Sequence, residues 1–127
     1  MTESCGPDQG PRTRLFVYGT LKKGTSNHFR LLGQPFLTFA RTVPRYRLYR
    51  IGWFPGLVED PEGGYSVEGE IYAVDAATLR QLDEFEGVPA LFRRQTVQIE
   101  GTDHPTEAYF FVGETAGCPE VGSCWTG

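Results

Sequence analysis

The sequence predicts an α+β domain in which an antiparallel or mixed sheet, able to curl into a barrel, carries one or two packed helices. Three observations lead there. Short apolar or alternating runs bounded by Gly, Pro and Asp far outnumber helical segments, no strand–helix–strand alternation runs through the chain, and one stretch, Asp75 to Gly87, has helical periodicity with both ends marked. With 127 residues, 39% of them hydrophobic and 22% charged, the chain has the size and balance of one soluble domain with a single core.

The elements follow in order. Residues 1–13 are a polar, Gly- and Pro-bearing leader expected to be disordered, and the folded domain is expected over residues 14–112. Leu15-Phe16-Val17-Tyr18 reads as an apolar strand cut off by Gly19, and Gly19 to Gly24 as a glycine-bounded loop. Asn27 can cap a helical turn through Phe29, Leu31 and Leu32 that Gly33 ends. Residues 36–43 and 46–51 are strands rich in β-favouring side chains, separated by a turn at Pro44. Gly52-Trp53-Phe54-Pro55-Gly56 is expected as a loop, Leu57-Val58 opens another strand, and Pro61-Glu62-Gly63-Gly64 has the composition of a hairpin turn.

From Ser66 to Val74 the chain alternates, with Val67, Gly69, Ile71 and Ala73 on one face and Glu68, Glu70 and Tyr72 on the other, as in a half-buried strand. Residues 92–99 and 106–112 form a second hairpin across Glu100 to Asp103. Residues 113–127 lack periodicity and are expected as a C-terminal tail.

The helix between these hairpins carries the chemistry. Asp75 is an N-cap, Ala76 to Leu82 favour helix, and Gly87 supplies a left-handed stop, so residues 76–86 are predicted helical. At about 100° per residue, Leu79 and Leu82 define the inward stripe; Glu86 falls near its middle, Asp83 about 70° off it, and Glu84 opposite. A carboxylate on a buried stripe at a helix C-terminus is disfavoured by desolvation and by the helix dipole, and both raise its pKa toward that of a general base. The alternative is a helix that frays by Phe85, leaving Glu86 among three surface acids.

Composition narrows the partners. Sixteen acids against twelve bases, a net charge of −4, argue against nucleic-acid or anionic-membrane binding and leave a small molecule as the expected partner. No apolar run reaches membrane-spanning length and the first ten residues have no secretory pattern, so a cytoplasmic protein is expected. The sequence does not fix an oligomeric state and is compatible with a monomer. Of three cysteines, Cys118 and Cys124 can pair or stay free, and Cys5 lies in the leader. With two histidines and no Cys/His spacing suited to zinc, no metal site is expected. Gly19 to Gly24 has the outline of a phosphate cradle, but Thr25-Ser26 stand where Lys and Ser/Thr are required, which rejects a nucleoside-triphosphate site. What remains is either an ordinary strand-ending turn or a set of backbone N–H groups able to hold an oxyanion or carboxylate.

Four blocks carry a family likeness: Phe16-Val-Tyr18-Gly19-Thr20-Leu21-Lys22-x-Gly24-x-x-Asn27-His28, Val67-Glu68-Gly69-Glu70-Ile71-Tyr72-Ala-Val-Asp75, Leu82-Asp83-x-Phe85-Glu86, and Pro89-Ala90-Leu91-Phe92-x-Arg94. Over Leu15 to Val112 the chain resembles the γ-glutamylcyclotransferase-like family, and within it the γ-glutamylamine cyclotransferases. The resemblance implies a small mixed β-barrel with packed helices, no metal or organic cofactor, and conversion of a γ-glutamyl amine such as γ-glutamyl-ε-lysine to 5-oxoproline and free amine. It assigns the catalytic acid/base to Glu86, the residue that periodicity also selects, and substrate binding to Tyr18, Gly19, Thr20 and Leu21.

The chain departs from the family pattern at three places. An aromatic hydroxyl near the end of the last strand falls to Tyr109 or is absent, Phe92 stands where those enzymes tend to have tyrosine, and the C-terminal segment is short. Trp53 and Phe54 either line the amine side of the pocket or only pack, and Arg94 either pairs with a pocket carboxylate or makes a surface salt bridge. Two other functions fit the same sequence: the same chemistry on another γ-glutamyl donor, peptide or specialised metabolite, or a non-catalytic small-molecule binding module.

Overall fold

Strand β1 (Arg12–Val17) alternates its side chains between two separate cores, and the rest of the fold follows from that division. Phe16 and Tyr18 enter one cluster with Leu48, Leu57, Ile71 and Phe110, on the inner face of a curled sheet. Leu15 and Val17 point the other way, into a cluster with Leu31, Tyr72, Val74, Leu79 and Leu82 that lies under the helices. The computed structural model describes residues 11–126. Residues 1–10 of the expected leader, with Cys5, lie outside the described residues, as does Gly127. Strand β1 begins at Arg12, two residues before the expected start, because Arg12 pairs with Asp75 in register and its guanidinium donates to Gln34 Oε1 and the Ala73 carbonyl.

The further elements are β2 (Phe36–Arg41), β3 (Tyr46–Ile51), β4 (Phe54–Glu59), β5 (Glu68–Asp75), α1 (Ala76–Phe85), β6 (Phe92–Thr96) and β7 (Glu107–Phe111). A 3-10 turn, His28–Leu31, stands between β1 and β2. The seven strands form one mixed sheet in the order β2-β5-β1-β7-β4-β3, with β6 paired antiparallel to β7 from Phe92↔Phe111 to Thr96↔Glu107. The contacts of β7 with β1 (Leu15↔Glu107) and β4 (Leu57↔Phe110) are parallel. Beyond β2, Thr42 bridges Ile99, Val43 N–H donates to Gln98 O, and Glu100 N–H donates to Arg41 O, which curls the sheet into a half-barrel. The expected mixed, barrel-like α+β architecture is the one found.

Three local expectations are corrected, and one open alternative is decided. The loop expected over Gly52 to Gly56 is only the two-residue turn Gly52-Trp53, since β3 and β4 stay paired down to Ile51↔Phe54 and Gly52 takes the positive φ, 65°, that such a hairpin needs. Pro61 to Gly64 is not a hairpin turn, because β4 and β5 are not neighbours; Asp60 closes the turn by accepting from Gly63 and Gly64 N–H. Both faces of β5 are covered: of the face expected to be polar, Glu68 is exposed but Glu70 and Tyr72 are buried beneath the helical side of the molecule. Cys118 and Cys124 are both free thiols.

Residues 113–126 contain no strand or helix, yet they are packed. Arg50 N–H donates to Pro119 O, Val121 N–H to Leu48 O, and Glu68 N–H to Ser123 O, so this segment runs along β3 at the end of the sheet and covers its edge. Its last large side chain, Trp125, is 3% exposed and belongs to the inner core. Truncating it leaves a cavity that backbone held on both sides cannot collapse to fill. Trp125→Ala is therefore expected to destabilise the fold by about 3–5 kcal/mol, read by urea denaturation; a loss below about 1 kcal/mol would mean that the segment is not part of the core.

Candidate active site

Glu86 reaches its position because α1 stays wound past its last assigned residue. Asp75 caps the start, its Oδ1 accepting from Thr78 N–H at 2.7 Å, and Leu79 and Leu82 bury the inward stripe. At the other end Glu86 N–H donates to Leu82 O at 2.8 Å, so Glu86 is still in helical register as the C-cap. Gly87 then takes φ 70° and turns the chain away. The assigned helix thus ends one residue before the expected 86, but the side chain of Glu86 points where the period puts it. It enters a cleft lined by Tyr18 to Leu21, Phe54, Phe92 and Tyr109. Burial pushes the Glu86 carboxyl up to about 7, with the Arg30 guanidinium acting in the opposite direction.

The facing loop is fixed by its carbonyls. Gly19 O accepts from Lys22 N–H, Thr20 O from Asn27 N–H and the Thr25 hydroxyl, and Lys22 O from Thr25 N–H. Leu21 O lies 2.9 Å from His28 Nδ1, which must carry the proton because a carbonyl only accepts. Lys23 N–H donates to Glu70 Oε1, which also accepts from the Tyr72 hydroxyl, and Lys22 Nζ donates to Trp125 O. Among the described residues, none of the backbone N–H groups of Gly19, Thr20 and Leu21 donates to a protein acceptor. A loop with its acceptors engaged and its donors unspent can hold an anionic or polarised oxygen. Gly19 is required here, since a Cβ would lie 2.5 Å from Pro55 Cγ.

Of the four loop residues selected from sequence, Gly19, Thr20 and Leu21 line the cleft with these free donors, and Tyr18 lines it as well. The Tyr18 hydroxyl, however, is committed to the fold: it donates to Tyr109 O at 2.6 Å and accepts from Leu57 N–H at 3.2 Å. Its burial, and then the nearby Glu86 carboxylate, raise its pKa far above the ordinary value.

The burial of Glu70 and the role of Asp83 escape sequence reasoning, while Tyr109 and Arg94, both singled out there, find their partners only in the structure. Glu70, assigned by alternation to a solvent face, is 6% exposed and anchors the loop through Lys23. Tyr109, also in the cleft, donates to Asp83 Oδ1 at 2.6 Å, and Asp83 is gripped by both Arg94 Nε and Nη2, whose Nη1 donates to Glu107. Arg94 thus pairs with a carboxylate next to the cleft as well as with a surface one. Burial works to raise the Asp83 carboxyl, but Arg94 and Tyr109 outweigh it and hold Asp83 below the usual range. The signals were a lone acid between Gly69 and Ile71 and an acid two turns after the cap; neither names its partner. Phe54 lines the cleft, and Trp53 lies at its mouth, 92% exposed. Among the described residues no cluster of three His, Cys, Asp or Glu side chains is arranged to hold a metal ion.

A half-barrel with one helix, whose C-terminal carboxylate faces a loop of unspent N–H donors, defines a small-molecule domain equipped for acid–base chemistry. Comparison with known proteins makes this specific. Residues 15–126 match the family described as gamma-glutamyl cyclotransferase, AIG2-like, and the chain belongs to that family. It is 43% identical over 94 residues to the human gamma-glutamylaminecyclotransferase, covering 68% of this chain and 61% of that one. With the zebrafish gamma-glutamylaminecyclotransferase B it shares 47% identity over 93 residues, covering 68% of this chain and 49% of the relative, so it spans about half the length of that protein. The crystal structure of a mouse AIG2-like protein superposes with a TM-score of 0.78 at 32% identity, over 90% of this chain and 88% of that one.

The raised Glu86 pKa has a consequence for stability. Between the unfolded value, 4.5, and the folded value, about 7, the native state holds the proton more tightly, so the contribution is complete below pH 4.5 and is lost as pH rises through 7. Glu86→Gln, which cannot ionise, is expected to match the parent at pH 4.5 and to exceed its stability by about 2–3 kcal/mol at pH 8, measured by denaturant titration at both pH values. An equal difference at the two would show that Glu86 ionises without penalty.

Proposed function

We propose that this chain is a γ-glutamylamine cyclotransferase in which Glu86 is the acid/base and the Tyr18 to Leu21 loop binds substrate. The observation that carries the reading is the Glu86 carboxyl, pushed up to about 7 in a cleft whose opposite wall offers unspent backbone donors. Membership of the gamma-glutamyl cyclotransferase, AIG2-like family and the names of the human and zebrafish relatives support the reaction class.

In this scheme the substrate's α-nitrogen attacks its own γ-carbonyl carbon. A bond forms from that nitrogen to the carbonyl carbon, the amide bond to the departing amine breaks, and 5-oxoproline and free amine leave. Two protons pass from the α-nitrogen to the departing nitrogen. Glu86 can carry both, because the two nitrogens share one carbon in the tetrahedral intermediate. The N–H groups of Gly19, Thr20 and Leu21 steady the carbonyl oxygen as it gains charge or hold the substrate carboxylate, and folding the substrate for attack supplies much of the remaining rate. No enzyme nucleophile and no cofactor enter this scheme.

Tyr109 and Asp83 complete it. With Asp83 held ionised by Arg94, the Tyr109 hydroxyl is pinned at the edge of the cleft, so that Glu86 is the carboxyl there whose proton exchanges near neutral pH. The free thiols Cys118 and Cys124 suit the reducing cytoplasm in which we place the reaction, with a small γ-glutamyl amine as its partner.

The test is incubation of the protein with γ-glutamyl amines and peptides, including γ-glutamyl-ε-lysine, with 5-oxoproline followed by mass spectrometry. The rate is expected to rise through pH about 7 as Glu86 becomes the free base. Glu86→Gln is expected to lose at least about a thousandfold in kcat while keeping its circular dichroism spectrum. Full turnover in that variant would remove Glu86 from the mechanism, and silence of the parent on every compound would favour a binding module.

A further inference from the structure

Glu86 stands between two compartments of different chemistry. The inner one offers the unspent N–H groups of the Gly19 to Leu21 loop and the Tyr109 ring. The outer one is walled mainly by Trp53, Phe54, Phe85, Leu91 and Phe92, with the uncharged polar Thr20, Ser26 and Asn27 completing its lining. Thr20, Phe54, Glu86 and Phe92 line both, so one small molecule can lie across the pair with its reacting atoms at the carboxyl. Backbone donors suit the polar glutamyl end, which leaves the apolar compartment for whatever is attached to it.

The outer wall is unusual for a surface. Trp53 is 92% exposed at the tip of the β3–β4 turn, Leu91 is 42% exposed and Phe85 37%. Side chains this exposed contribute little to the fold, and apolar groups gathered beside a functional cleft mark a binding surface. Among the residues that line this compartment Glu86 is the one with a charge. The nearest cation is Arg30, whose guanidinium lies 3.7 Å over the Phe85 ring while its Nε donates to Asn27 Oδ1. Aromatic rings can attract an ammonium group, but the face of Phe85 is already taken, and the like charge of Arg30 opposes a second cation there.

We infer that the outer compartment is the leaving-amine subsite and that it selects γ-glutamyl amides of uncharged apolar amines over those whose amine ends in a lone ammonium with no carboxylate beside it. The inference rests on the cyclotransferase reading and deepens it. An alkyl or aryl amine gains burial against Trp53, Phe54 and Leu91. A distal ammonium gains no such burial, and the compartment offers it no carboxylate except Glu86, the group engaged at the reacting nitrogens.

An isosteric pair of substrates tests this: γ-glutamyl-hexylamide and γ-glutamyl-(5-aminopentyl)amide, which differ only in a terminal methyl or ammonium group, with γ-glutamyl-methylamide as a substrate that does not reach the outer wall. The hexylamide is expected to exceed the aminopentylamide in kcat/KM by about tenfold or more, the difference residing in KM. Trp53→Ala is expected to narrow that ratio to within about threefold, since its side chain supplies wall and not fold. A parent ratio under about threefold, or a ratio that Trp53→Ala leaves unchanged, overturns the inference while turnover of the methylamide keeps the cyclotransferase reading intact. No 5-oxoproline from any of the three overturns that reading, and the inference falls with it.

Discussion

The Tyr18 hydroxyl sits where three strands meet with little else to join them. The parallel contacts of β7 with β1 and with β4 are each registered at one residue pair, far fewer than the antiparallel ladders around them. Tyr18 donates across one junction, to Tyr109 O, and accepts across the other, from Leu57 N–H. Both groups are buried, so losing either bond would strand a polar atom at a cost of about 1–3 kcal/mol. Tyr18 directly follows β1 and precedes the Gly19 to Leu21 loop, so the residue that joins the strands also stands at the root of that loop. The cleft is therefore assembled at the weakest seam of the sheet, held together by a side chain that lines it.

Two acids three residues apart on α1 show how environment divides their roles. Asp83 meets a guanidinium and a phenol and stays ionised; Glu86 meets hydrophobic walls and holds its proton up to about 7. Burial acts to raise both; at Asp83 the hydrogen bonds from Arg94 and Tyr109 outweigh it, whereas at the more deeply buried Glu86 the Arg30 charge does not. Glu84, between them, faces solvent. The same helical turn thus yields an anchor, a surface charge and a carboxyl poised for proton transfer.

The C-terminal segment joins core stability to the cleft. Trp125 fills the inner core while its carbonyl accepts from Lys22 Nζ, in the loop whose next residue is tied to Glu70. The loop is gripped from the C-terminal segment on one side and from β5 on the other. Both grips are made by donors of Lys22 and Lys23, the Lys22 ammonium and the Lys23 N–H, so the N–H groups of Gly19 to Leu21 stay unspent.

Local chemistry made much of this readable in advance. The Asp75 cap, the Leu79/Leu82 stripe and the Gly87 stop each act within one or two turns, so the chain itself determines α1 and the inward direction of Glu86; the same holds for the apolar strand ending at Gly19 and for the hairpin at Glu100 to Asp103. What required the tertiary structure was every feature set by a partner distant in sequence. Glu70 and Tyr72 are buried because helices close over β5, Pro61 to Gly64 fails as a hairpin because β4 pairs with β3 and β7, and residues 113–126 pack without periodicity because they follow an edge whose location only the sheet order fixes. The commitment of the Tyr18 hydroxyl and the Asp83–Arg94 grip belong to the same class. Periodicity records which way a side chain points from its own element; what it meets there depends on contacts made across the fold, and those alone decide whether an inward carboxylate is paired or left to hold its proton.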